Sequence, residues 1–126
     1  MKRNPALQPL SREHHSALVL ANACERAARS GDTALVSKAC QRAILAFENE
    51  LDPHFRVEEQ SLLPLLTSPE TQALVQRTLR EHQQLRGLLP DLQRNDVAAL
   101  SNFGTCLTAH VRFEERELFP VFERLI

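Results

Sequence analysis

The sequence predicts an all-α protein, an up-down-up-down antiparallel four-helix bundle with a short extended strap at its N-terminus. Only three glycines occur in 126 residues, strong helix formers dominate, and no strand-like alternation is found anywhere. Breaking and capping residues divide the chain into four long amphipathic stretches. The connections between these stretches are short, which makes successive helices antiparallel neighbours.

Residues 1–10, with Pro5 and Pro9, read as the strap. Ser11 is the expected N-cap of the first helix, which should run to about Ser30, where Gly31 supplies the stop. Asp32 can cap the second helix, whose apolar pattern continues to about Leu66. Pro53 lies inside that helix and should bend or loosen it, and Pro120 should do the same late in the fourth. In Ser68-Pro69-Glu70 a cap, a first-turn proline and an acid at the positive helix end together start the third helix. Asn95-Asp96 restarts the chain as the fourth helix, which continues to the C-terminus.

The length fits one domain spanning 1–126. With 15 basic and 16 acidic residues, attraction to nucleic acid or to a membrane surface is not indicated. No apolar run is long enough to span a bilayer, and the basic start Met1-Lys2-Arg3 is followed by no apolar segment, so a cytoplasmic protein is expected. Cys24, Cys40 and Cys106 show no CxxC spacing and read as small buried thiols; Cys106 lies one turn before His110 and could border a site there. Tyr and Trp are both missing, which removes radical relays through them. No Gly-rich phosphate loop, Ser/His/Asp set or basic groove is present.

The chemistry is concentrated in a repeat. Residues 54–66, His-Phe-Arg-Val-Glu-Glu-Gln-Ser-Leu-Leu-Pro-Leu-Leu, are nearly rewritten at 110–122 as His-Val-Arg-Phe-Glu-Glu-Arg-Glu-Leu-Phe-Pro-Val-Phe. Each copy sets a histidine and a carboxylate at i and i+4, one helical turn and roughly 6 Å apart on one face, close enough to share a metal ion. In the second helix His54 and Glu58 interrupt an inward line of Ile44, Phe47, Leu51, Leu62 and Leu65. In the fourth, His110 and Glu114 interrupt Leu100, Phe103, Leu107, Leu118, Val121 and Leu125. A buried carboxylate without a cation or strong donors is costly, so both glutamates demand partners.

The third helix adds His82 on the line Leu74, Thr78, Leu85, Leu89. In the first helix, His14 lies near the face of Ala17, Leu18, Ala21, Cys24 and Ala28, whereas His15 points with Asn22, Glu25 and Arg29 to the polar side. The matching texts Arg12-Glu13-His14 and Arg80-Glu81-His82 also favour His14, with His15 as the alternative. The candidate metal ligands are therefore His14, His54, Glu58, His82, His110 and Glu114, a donor set suited to iron, manganese or zinc. Arg56, Arg112, Glu59 and Glu115 repeat too, but point off the inward line and read as surface ion pairs.

A histidine on the first helix, HxxxE on the second, a histidine on the third and HxxxE on the fourth resemble the hemerythrin-like, or HHE cation-binding, family over essentially the whole chain. The resemblance implies a non-haem di-iron centre, carboxylate-bridged and oxo- or hydroxo-bridged. By position, His14 and His54 would serve one iron, His82 and His110 the other, and Glu58 and Glu114 would bridge. Oxygen-carrying members are similar but have HxxxH on the third helix, where this chain has Arg86, and a carboxylate five residues after the fourth-helix histidine. The resemblance thus implies an open position on the iron of the third-helix histidine. It also implies binding or sensing of oxygen, nitric oxide or peroxide rather than reversible oxygen carriage.

Four-histidine, two-glutamate sites look like the branch linked to iron–sulfur cluster repair and nitric oxide stress, although that branch typically adds an N-terminal cysteine-bearing segment. An iron-centred enzyme or iron donor is therefore the alternative, and a metal-free helical interaction domain the second alternative. With no output domain attached, signalling or iron transfer would go to a separate protein partner.

Overall fold

A computed structural model describes residues 3–126, and Met1 and Lys2, the start of the expected strap, lie outside the described residues. It is an antiparallel four-helix bundle without strands among those residues. The first helix spans Gln8–Arg29. It begins ahead of Ser11, so the strap is shorter than residues 1–10. Pro9 is the reason: in the first helical turn its missing N–H is no loss and its φ is already helical. The Asn4 carbonyl accepts the Leu7 and Gln8 N–H groups, and buried Leu7 and Leu10 anchor this end. Gly31 stops the helix with φ 70°.

The second helix is continuous over 33–65. The Asp32 carboxylate accepts the N–H of Ala34 and Leu35, as expected for its cap. The rod then alternates: α over Thr33–Ala46, a π turn at Phe47–Leu51, α over Asp52–Val57, a second π turn at Glu58–Leu62, and a closing 3-10 turn at Leu63–Leu65. The fourth helix does the same, α over Val97–Phe113, π over Glu114–Leu118, α over Phe119–Leu125, with Asp96 capping Ala98 N–H.

Each π turn is followed by a proline, at 53, 64 and 120. A helical proline has no N–H to give and its ring clashes with the carbonyl four residues back. Here the preceding residue's N–H reaches five residues back instead, from Asp52 to Phe47, Leu63 to Glu58 and Phe119 to Glu114. The expected loosening at Pro53 and Pro120 takes this form.

A π turn consumes an extra residue, so everything after it rotates by about 100° relative to a 3.6-residue line. That displaces the expected inward residues. Leu66 is buried while Leu65 is 48% exposed, and Phe119 and Phe122 are buried while Leu125 is 55% exposed and Val121 is half-buried. In the first helix, Leu20 faces the core and Leu18 sits at the boundary with solvent.

The third helix opens with a 3-10 turn, Pro69–Thr71, before its α segment Gln72–Gly87. Ser68 contributes its carbonyl to Thr71 N–H rather than a side-chain cap. It slips at Leu88, then resumes over Leu89–Gln93 with Pro90 in its first turn. The first helix packs most extensively on the fourth, where Gly104 admits the Ala21 carbonyl and the Glu25 side chain.

Two apolar clusters form the core. One gathers Leu20, Cys24, Cys40, Phe55, Leu85, Phe103 and Leu107; the other gathers Leu7, Leu10, Leu62, Leu66, Phe119 and Phe122. Between them every helix contributes to a buried polar layer: His14, His54, Glu58, Thr78, His82, His110 and Glu114. No helix among the described residues is long and apolar enough to cross a membrane.

Candidate metal centre

All six candidate ligands are at most 4% exposed, and they converge. Their ligand atoms form two groups, His14-His54-Glu58-Glu114 and Glu58-His82-His110-Glu114, each within 4.8 Å of one another. Glu58 and Glu114 belong to both. His15 is exposed and outside both groups; the cysteines also lie outside both, Cys24 and Cys40 buried in the core and Cys106 half-buried.

The four imidazoles share one orientation. Nε2 faces the centre: His14 Nε2 is 2.7 Å from Glu114, His54 Nε2 3.1 Å from Glu58, His82 Nε2 3.0 Å from Glu58, and His110 Nε2 3.1 Å from Glu114. Nδ1 faces outward to a second carboxylate, Glu115 for His14 (2.6 Å), Glu13 for His54 (3.1 Å), Glu59 for His82 (2.6 Å) and Glu81 for His110 (2.7 Å). A carboxylate only accepts, so each Nδ1 carries a proton and donates it, directing Nε2 inward.

Glu59 and Glu115 are thus not the surface ion pairs expected from the sequence. Each follows an inward glutamate by one residue and reaches the Nδ1 of a histidine on a neighbouring helix, Glu59 that of His82 and Glu115 that of His14. Arg56 and Arg112 do lie exposed, and Arg56 pairs with Asp52. Two signals for the outer carboxylates were present in the text: the doubled Glu-Glu of both repeats and the Glu-His of both Arg-Glu-His matches.

The electrostatics are those of a compressed charge cluster. Burial works against a charge on His54, but hydrogen bonds to Glu114 and Glu58 outweigh it and push the imidazole up from 6.5 to about 11. His110, likewise opposed by burial, is pushed up to about 10 by the adjacent charge of Glu114 and by its hydrogen bond to Glu81. His82 is raised for similar reasons. Burial, then the charge of Glu114, raises Glu58; Glu114 is held well below the usual carboxylate range because His110, His14 and His54 outweigh its burial. Partial burial opposes charge on Glu59, Glu81 and Glu115, yet hydrogen bonds from His82, His110 and His14 hold all three low.

Hydrogen bonding does not satisfy the whole layer. His110 Nε2 and Glu114 Oε2 are buried, 3.1 Å apart, and have no hydrogen-bond partner. An imidazole nitrogen and a carboxylate oxygen within reach of each other but not aligned to bond, inside a ring of like donors, fit a cation.

Space beside the layer is one-sided. A cavity of about 70 Å³ is lined by Ala17, Leu20, Leu51, Leu107 and Val111, with His14, His54 and His110 at its floor and Glu13 and Glu50 along its wall. No residue of the third helix lines it. On the third-helix side, Phe55 of the second helix stacks on His82 at 3.9 Å and 12°, and Leu85 is fully buried. The cavity thus lies beside His14, His54 and His110, while His82 is packed against an aromatic ring. Arg86 turns outward, 3.1 Å from Glu59 and 3.3 Å from Asp52, so it is a salt-bridging arginine and not a free anion contact.

Comparison with curated proteins and with solved structures gives no match. The model of one family, the hemerythrin HHE cation binding domain, matches residues 6–122. That match takes in all four helical segments that supply the layer, and on it the chain belongs to the hemerythrin HHE cation-binding domain family.

Proposed function

We propose that the chain binds two iron ions in its polar layer and uses them to bind or sense a small ligand, oxygen, nitric oxide or peroxide. Glu58 and Glu114 bridge, His14 and His54 complete one position, and His82 and His110 the other. The observation that carries this reading is the pair of four-residue groups sharing both glutamates, with every Nε2 turned inward. Bound iron would supply the redox change and an exchangeable coordination position. The protein's part is to hold four imidazoles by their Nδ1 protons, exclude bulk water with two apolar clusters, and admit a ligand beside His14 and His54.

Cavity size supports the ligand class. A water needs about 10–15 Å³ of such space, so about 70 Å³ accommodates a diatomic, a peroxide or a few waters and no larger organic substrate. The apolar wall suits a neutral molecule. The test is anaerobic purification, a metal count and visible spectra before and after exposure to air, nitric oxide or peroxide. Two irons per chain and a ligand-dependent charge-transfer band are expected. A spectrum indifferent to all three ligands would remove the sensing role, and a single tightly held zinc would remove the redox role. A folded protein that takes up no metal would leave a helical interaction domain.

A further inference from the structure

The two halves of the centre are held unequally. Three outer carboxylates are themselves locked by further donors. Arg86 lies 3.1 Å from Glu59 and Arg77 2.9 Å from Glu81. Arg3 lies 3.1 Å from Glu115, which also accepts the Ser11 hydroxyl at 2.8 Å. Glu13 differs in every respect. Its side chain is 51% exposed, its 3.1 Å contact to His54 Nδ1 is the longest of the four, and no cation or second donor among the described residues reaches it.

The backbone repeats the contrast. His110 sits in the last turn of the α segment Val97–Phe113, whereas His54 sits in the short Asp52–Val57, between two π turns and directly after Pro53. Both His14 and His54 line the cavity, whereas of the other pair only His110 does and His82 is clamped under Phe55.

We propose that His54 is the loosely held ligand, so that the His14–His54 position exchanges its metal readily while the His82–His110 position retains it. Arg86 is on this view a positioning residue: it fixes Glu59, which fixes His82. The inference rests on the metal reading above. A carboxylate free to swing lets its imidazole turn, and loss of an outer partner of a metal-bound histidine typically costs about 10–100-fold in affinity.

The test uses the full chain loaded anaerobically with ferrous iron and challenged with an excess of a ferrous chelator, following iron release. Two phases of equal amplitude are expected, at least about tenfold apart in rate. Pro9→Arg puts a guanidinium one turn ahead of Glu13, as Arg77 stands one turn ahead of Glu81, and should slow only the fast phase. Arg86→Gln should accelerate only the slow one. Two irons leaving in a single phase would overturn this inference alone, as would a folded Pro9→Arg protein with an unchanged fast phase. Fewer than two bound irons would overturn the metal reading and this inference with it.

Discussion

Metal uptake should expel protons. Without metal, His54 and His110, pushed up to about 11 and about 10, are both charged at pH 7 and face the buried Glu114, which is held low. A metal ion needs the Nε2 lone pairs, so at least these two protons must leave as two ions enter. The apparent affinity then gains about tenfold, ~1.4 kcal/mol, per pH unit for each proton displaced.

The assay is calorimetric titration of the metal-free protein with zinc, a redox-silent probe, at pH 7 in buffers of different ionisation enthalpy. The slope of observed enthalpy against buffer enthalpy counts protons, and about two or more per chain are expected. The same shifts fix the stability of the metal-free protein. A histidine whose folded value lies above its usual 6.5 stabilises the fold fully below pH 6.5, and that contribution is lost as pH rises through about 10 and about 11. Melting temperature should therefore fall between pH 7 and pH 10 without metal and far less with it. A zero buffer slope during stoichiometric zinc uptake would refute the reasoning, because the imidazoles would then be neutral beforehand or would not be the ligands.

Three further outcomes follow from the packing. His14→Ala should lose at least one metal per chain in elemental analysis, while His15→Ala, outside both ligand groups, should keep both. Ala17→Leu should fill the cavity beside His14 and His54, leaving the metal count intact but slowing formation of the nitric oxide adduct about tenfold or more in stopped flow. Gly104→Ala would bring a Cβ within 2.6 Å of Glu25 Cγ and 2.7 Å of the Ala21 carbonyl oxygen. The carbonyl cannot step aside alone, so a loss of about 1–3 kcal/mol is expected in urea unfolding.

How much of this was legible in the text depends on which period governs each residue. Helix number, the Asp32 and Asp96 caps and the convergence of His14, His54, Glu58, His82, His110 and Glu114 follow from a 3.6-residue period: the histidine and glutamate of each HxxxE pair share one α segment, Asp52–Val57 closed by Glu58 and Val97–Phe113 closed by Glu114, and His14 and His82 sit in α segments without a π turn. Leu65, Val121 and Leu125 were misplaced because they come after one, and the extra residue shifts the inward line to Leu66 and Phe122. The warning was the proline after each turn. Glu59 and Glu115 were misread for a different reason: about 100° off the inward line of their own helix, they meet a histidine that a neighbouring helix supplies. Glu13 and Glu81 escaped notice because their targets lie on other helices, a relation that no single-helix pattern contains. The packing of Phe55 on His82 was equally out of reach, since it joins two helices.

The repeat also explains why the centre binds the bundle together. The first two helices supply Glu13, His14, His54, Glu58 and Glu59; the last two supply Glu81, His82, His110, Glu114 and Glu115. Yet neither pair of helices completes its own group. The first group needs Glu114 from the fourth helix, the second needs Glu58 from the second, and the outer bonds cross as well, Glu115 to His14 and Glu59 to His82. Separating the helix pairs would leave each with a buried carboxylate, two imidazoles and an incomplete donor set, so an ion bound to both groups opposes that separation directly. Metal at a hundred times its dissociation constant stabilises a fold by about 2.7 kcal/mol. In this bundle that stabilisation would act across the two helix pairs, at the layer where the apolar core is interrupted.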